Sequence, residues 1–102
     1  MAPLVQYAPV TSTAVTVSAA VKAVACTYHG IVVRNTSSSA VATVRVYDDP
    51  NSADGTLLDT IQLAASESVG TWYERGKKAA TGVYFSVVAG AVEGSVATSR
   101  TI

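Results

Sequence analysis

Alternation constrains this chain most. Wherever apolar residues gather they tend to recur at every second position, and they are supported by 17 valines and 12 threonines among 102 residues. β-Branched side chains are stiff at χ1 and suit a pleated surface better than a helix, so this spacing predicts strands with one buried face. From Ala40 to Tyr47, residues Ala42, Val44 and Val46 share one face, and Thr43, Arg45 and Tyr47 share the other. The same alternation sets Val83, Phe85 and Val87 against Tyr84, Ser86 and Val88, and Val92, Gly94 and Val96 against Glu93, Ser95 and Ala97. It also sets Val15 and Val17 against Thr16 and Ser18. Gly30 to Asn35 and Thr56 to Leu63 add two apolar runs of strand length.

Turn chemistry punctuates these runs. Ser37-Ser38-Ser39, the stretch from Asp48 to Asp54-Gly55 with Pro50 inside it, Gly76-Lys77-Lys78 and Ala89-Gly90 all read as breaks. Ala14 to Ala25 is alanine-rich enough to suggest a helix, but Val15, Thr16, Val17, Val21 and Val24 favour strands there. Short strands joined by regular turns, with no helical pattern between them, predict an all-β fold: an antiparallel β-sandwich of about seven to eight short strands. Residues 12–102 read as one sandwich domain. Residues 1–11 read as an extended arm, in which Pro3 and Pro9 flank the apolar Leu4, Val5 and Tyr7.

Seven basic and seven acidic residues give zero net charge, without the basic footprint that nucleic-acid binding draws on. The longest apolar stretch, Ala19 to Cys26, is interrupted by Lys22 and falls far short of the roughly 20 residues a membrane helix needs. Neither a nucleic-acid nor a membrane partner is expected. The first basic residue is Lys22, which argues against a signal peptide, so synthesis in a cytoplasm is expected. The single cysteine, Cys26, permits no internal disulfide.

Candidate chemistry is sparse. Cys26 and His29 suggest a thiol nucleophile and its base, but three positions along a strand put their side chains on opposite faces. Asp48, Asp49, Asn51 and Asp54 concentrate oxygen ligands, yet from Asp49 the fifth, sixth and twelfth positions are Ala53, Asp54 and Thr60, which breaks the calcium-loop spacing. Glu67, Glu74 and Glu93 sit in polar surroundings that do not suit a glycosidase acid. No catalytic residue, cofactor or metal is therefore assigned. Gly70 to Arg75 holds Trp72, Tyr73 and both signs of charge, a composition that interfaces favour. Trp72 is expected in the core and Tyr73 outside. Leu4, Val5, Tyr7, Tyr73 and Arg75 are the expected protein-contact residues.

Gly30-Ile31-Val32-Val33-Arg34-Asn35-Thr36, Ala42 to Asp48, Gly55 to Ser68 and the Ala80-to-Val96 ending together resemble small structural proteins of tailed bacteriophages. Such proteins are compact β-sandwich modules of the virion, and the resemblance implies a capsid decoration, or cement, protein. It implies a place on the capsid surface, the major capsid protein as partner, and no enzymatic activity. A neutral Ser/Thr/Ala surface lets copies crowd without mutual repulsion, which suits a homo-oligomer, a trimer above other states, built through the arm and an edge strand. The competing reading is a carbohydrate- or host-surface-binding module of a head fibre or tail, with Trp72, Tyr73 and Tyr84 as its stacking platform.

Overall fold

The computed structural model describes residues 10–100. Eight strands follow one another: β1 (Val10–Val15), β2 (Ala19–Lys22), β3 (Cys26–Asn35), β4 (Ala42–Asp48), β5 (Thr56–Leu63), β6 (Ser68–Ala79), β7 (Val83–Ala89) and β8 (Val92–Arg100). They form two four-stranded antiparallel sheets, ordered β1-β8-β3-β6 and β2-β7-β4-β5. The first strand pairs with the last, the second with the second-last, and so on inward to β4 with β5. The chain is thus one long hairpin rolled up until β3 meets β8 and β4 meets β7, which is the jelly-roll topology. The all-β sandwich expected from alternation is the fold observed.

Inward positions match the alternating residues. Val15, Ile31, Val33, Val44, Val46, Ile61, Leu63, Val83, Phe85 and Val96 are buried between the sheets, and each large apolar side chain so placed contributes roughly 1.5–3 kcal/mol. Asn35 is fully buried among them. Its Nδ2 donates to the carbonyls of Ala40, Leu63 and Ala64 at 2.7, 3.4 and 3.1 Å, and its Oδ1 accepts from the Ser37 amide at 2.9 Å. One amide therefore ties the β3–β4 turn to the end of β5.

Two local expectations need correction. β1 ends at Val15, so Val17 does not share its inner face but lies 66% exposed in the bend before β2. Gly76-Lys77-Lys78 does not end a strand; β6 runs through it, with Gly76 at φ 74°. A Cβ there would also strike Thr27 Cγ2, which glycine avoids. Strand β1 begins at Val10, inside the stretch read as an arm, while Leu4, Val5 and Tyr7 lie outside the described residues.

The oxygen-rich loop at the hairpin tip spends its carboxylates on turns. Asp48 accepts from the Ala80 and Thr81 amides, both at 2.9 Å, and from Thr81 Oγ1 at 3.0 Å, pinning the β6–β7 turn. Asp49 Oδ1 accepts from the Asn51 and Ser52 amides at 2.9 Å. Burial pushes the Asp48 carboxyl up, but the hydrogen bonds from Thr81, Ala80 and Gly82 outweigh it and leave the pKa below the ordinary carboxylate value.

Candidate functional site

Register decides what the outer face of the β1-β8-β3-β6 sheet presents. One cross-strand row runs Ser12, Ala97, Gly30, Trp72, and the next runs Ala14, Ser95, Val32, Gly70. Six of these eight residues are Ser, Ala or Gly, so the face is flat. Above it stand Trp72 and Val32, each 59% exposed. The face is bounded on one side by the Arg34–Glu93 ion pair at 3.2 Å, which is well exposed and contributes little to stability.

Trp72 is supported from below in that outward position. Its indole stacks on the His29 imidazole, centroids 5.3 Å apart and planes 20° from parallel. His29 is the extra residue of a bulge in β3, standing between Tyr28 and Gly30, which pair with adjacent β8 residues Thr98 and Ala97. On the other side β6 bulges as well, since Tyr28 pairs with Lys77 while Gly30 pairs with Trp72. The imidazole occupies this irregularity. Its Nδ1 faces the Tyr73 carbonyl at 3.3 Å, which can only accept, so Nδ1 carries a proton; Nε2 lies 2.7 Å from Ser99 Oγ. Ser99 and His29 have the spacing of a nucleophile and its base, but each is only 9% exposed, and the pair serves to seat the ring beneath Trp72.

Cys26 is on the opposite side of the sheet from His29, buried in the core, as the three-residue spacing anticipates. Burial pushes its thiol pKa up, with Lys22 opposing and Asp48 adding to the shift, which disfavours the reactive thiolate. The expected places of Trp72 and Tyr73 are reversed: the indole is outside, and Tyr73 is half-buried against the core. Alternation separates the two neighbours, but only the pairing of Trp72 with Gly30 decides which one points out. Arg75 is exposed, in the β6 bulge.

Tyr73 belongs instead to a polar seam between the sheets. Asp59 Oδ2 on β5 accepts from Tyr28 Oη at 3.0 Å and Tyr73 Oη at 3.1 Å, with Thr71 Oγ1 more distant at 3.5 Å. Lys77 Nζ lies 4.2 Å from the centre of the Tyr73 ring and donates to the Leu58 carbonyl at 2.7 Å. Burial, and then the Asp59 charge, raise the pKa of the Tyr28 phenol far above its ordinary value. Asp59 was not singled out from the sequence, although it shares parity with Ile61 and Leu63 and so had to point inward.

The opposite sheet also carries aromatic residues on its outer face. Ala20, Tyr84, Tyr47 and Leu57 form one cross-strand row, and Ser86, Arg45 and Thr60 the next. Leu57 is 50% exposed, and Arg45 Nε is shielded without a hydrogen-bond partner among the described residues. Trp72, Tyr73 and Tyr84 therefore do not form the three-ring platform that the carbohydrate reading needs: one is outside on one sheet, one between the sheets, one on the far face. Among the described residues, no group of three or more His, Cys, Asp or Glu side chains could hold a metal ion. The chain matches no protein-family model, no curated protein and no solved structure.

Proposed function

We propose that this protein is a non-enzymatic structural component of a phage virion that binds the outside of the capsid and stabilises contacts between capsid subunits. The observation that supports this reading is the presence of large aromatic, aliphatic and arginine side chains on both outer faces of the sandwich. Trp72 and Val32 stand on one face; Tyr47, Tyr84, Leu57 and Arg45 stand on the other. Large aromatics and arginine dominate binding energy at protein interfaces, and a ring already fixed by stacking loses little entropy on contact. A brick with adhesive residues on opposite faces can touch two neighbours at once. Many copies on one shell would then hold by multivalency although each contact is modest.

The bacteriophage resemblance directs the reading to the major capsid protein as partner, and jelly rolls recur in viral capsid domains. Topology alone does not assign a role, so the test lies with the faces. Purified shells lacking the protein are titrated with the wild type, Trp72→Ala and the double variant Tyr47→Ala/Tyr84→Ala, and occupancy is read by electron microscopy. Loss of occupancy in either folded variant is expected. Wild-type occupancy in both, or no shell binding at all, would overturn the proposal. Glycan binding abolished by Trp72→Ala, with no affinity for shells, would establish the carbohydrate reading instead.

A further inference from the structure

Two sheets of four strands leave four edges, and three of them are obstructed. β2 is four residues long, is irregular between Ala20 and Lys22, and carries the Lys22 charge. In β5, Leu58 is an extra residue between Leu57 and Asp59, and its carbonyl is taken by Lys77. β6 is broken opposite His29 and carries Glu74, Arg75, Lys77 and Lys78. Charges, bulges and shortness are the usual devices that keep an edge from pairing with another chain. β1 has none of them. Its six residues, Val10-Thr11-Ser12-Thr13-Ala14-Val15, hold an unbroken register against β8 and include no charge, proline or glycine.

We propose that the outer edge of β1, unpaired among the described residues, pairs antiparallel with β1 of a second copy of this chain, joining two four-stranded sheets into one of eight. An antiparallel pair related by a two-fold axis perpendicular to the sheet keeps outer face with outer face, so residues of equal parity stand opposite one another. Centred on Thr13, that register sets Thr13 against itself, Ser12 against Ala14 on the outer face and Thr11 against Val15 on the inner face. These are Thr–Thr and Thr–Val pairs that sheets favour, and the absence of charge means that self-pairing brings no like charges together. The joined sheet would present two Trp72 platforms on one surface. The inference deepens the assembly reading by naming a partner, yet it is measured without a shell, so either can fail while the other stands.

The test uses Ser12→Lys/Ala14→Lys and Ser12→Glu/Ala14→Glu, both altering exposed outer-face residues. Sedimentation equilibrium of the wild type is expected to show a monomer–dimer equilibrium. Each double variant should raise its dissociation constant by about tenfold or more, and an equimolar mixture of the two should restore it. Thermal melts and near-ultraviolet circular dichroism verify that the variants fold. Hydrogen exchange of the β1 amides should slow with rising wild-type concentration. A wild type that stays monomeric, a dimer indifferent to both variants, or a mixture that fails to rescue folded variants would overturn the proposal. So would β1 protection that is independent of concentration and disappears when residues 1–9 are deleted, because the edge would then be covered by the chain's own N-terminus.

Discussion

The His29 imidazole lies nearly parallel to the Trp72 indole, with 20° between the ring planes and 5.3 Å between the centroids. The two rings divide the work: His29 is buried and hydrogen-bonded, whereas Trp72 is mostly exposed. Trp72→Ala is therefore expected to change folding stability by no more than about 1 kcal/mol, while His29→Ala, which strands Ser99 and empties the bulge, should cost about 1–3 kcal/mol. Urea denaturation of the two variants measures the difference. A Trp72→Ala loss as large as that of His29→Ala would mean that the indole supports the fold rather than a contact.

Asp59 accepts hydroxyl bonds from residues on the opposite sheet, and the Tyr28 hydroxyl it satisfies belongs to a fully buried residue. Asp59→Ala should destabilise by about 1–3 kcal/mol, because a buried donor loses its acceptor. Asp59→Asn, which keeps a side-chain oxygen, should cost less. In the Tyr28→Phe background the Asp59→Ala penalty should shrink, since the two groups act as a unit. Additive penalties in a double-mutant cycle would show that the seam carries no coupling.

Alkaline stability follows from the same seam. The folded pKa of the Tyr28 phenol is raised, so the folded state keeps a proton that the unfolded chain releases near pH 10. That contribution is complete below about pH 10 and is lost as pH rises beyond it. The buried Cys26 thiol, also raised, acts in the same direction from its ordinary value of 9.0 upward. The urea midpoint should fall above these values, and Tyr28→Phe should flatten the fall. Absorbance at the phenolate band should report that Tyr28 ionises only with unfolding; titration of all five tyrosines in the folded state would contradict this.

Two glycines in neighbouring rows, Gly30 on β3 and Gly70 on β6, give a sharp contrast. A Cβ on Gly30 would sit 2.1 Å from the Thr71 carbonyl oxygen with φ at 147°, whereas one on Gly70 would meet only Val32 Cγ2 at 3.6 Å. Gly30→Ala should cost about 3 kcal/mol or more, or prevent folding. Gly70→Ala should be neutral or stabilise by about 0.5–1 kcal/mol, because glycine inside a strand pays extra backbone entropy. Thermal melting of both variants decides, and equal effects would refute the backbone geometry around Trp72.

Alternation by itself determined the all-β class, the position of most strands and the inward set of Ala42, Val44, Val46, Val83, Phe85, Val92 and Val96, because a period of two has only one way to bury an apolar row. It also separated Cys26 from His29 and Trp72 from Tyr73. Tertiary structure decided the rest. Whether Trp72 or Tyr73 points outward depends on its partner across the β3–β6 ladder, and a bulge at His29 shifts that parity without any mark in local sequence. The Asp59 seam, the Ser99–His29 bond and the two outer aromatic faces join residues 12–70 positions apart, and contacts between distant segments arise only when the hairpin rolls up. The edge position of β1 is likewise a property of strand order, which its local composition does not reveal.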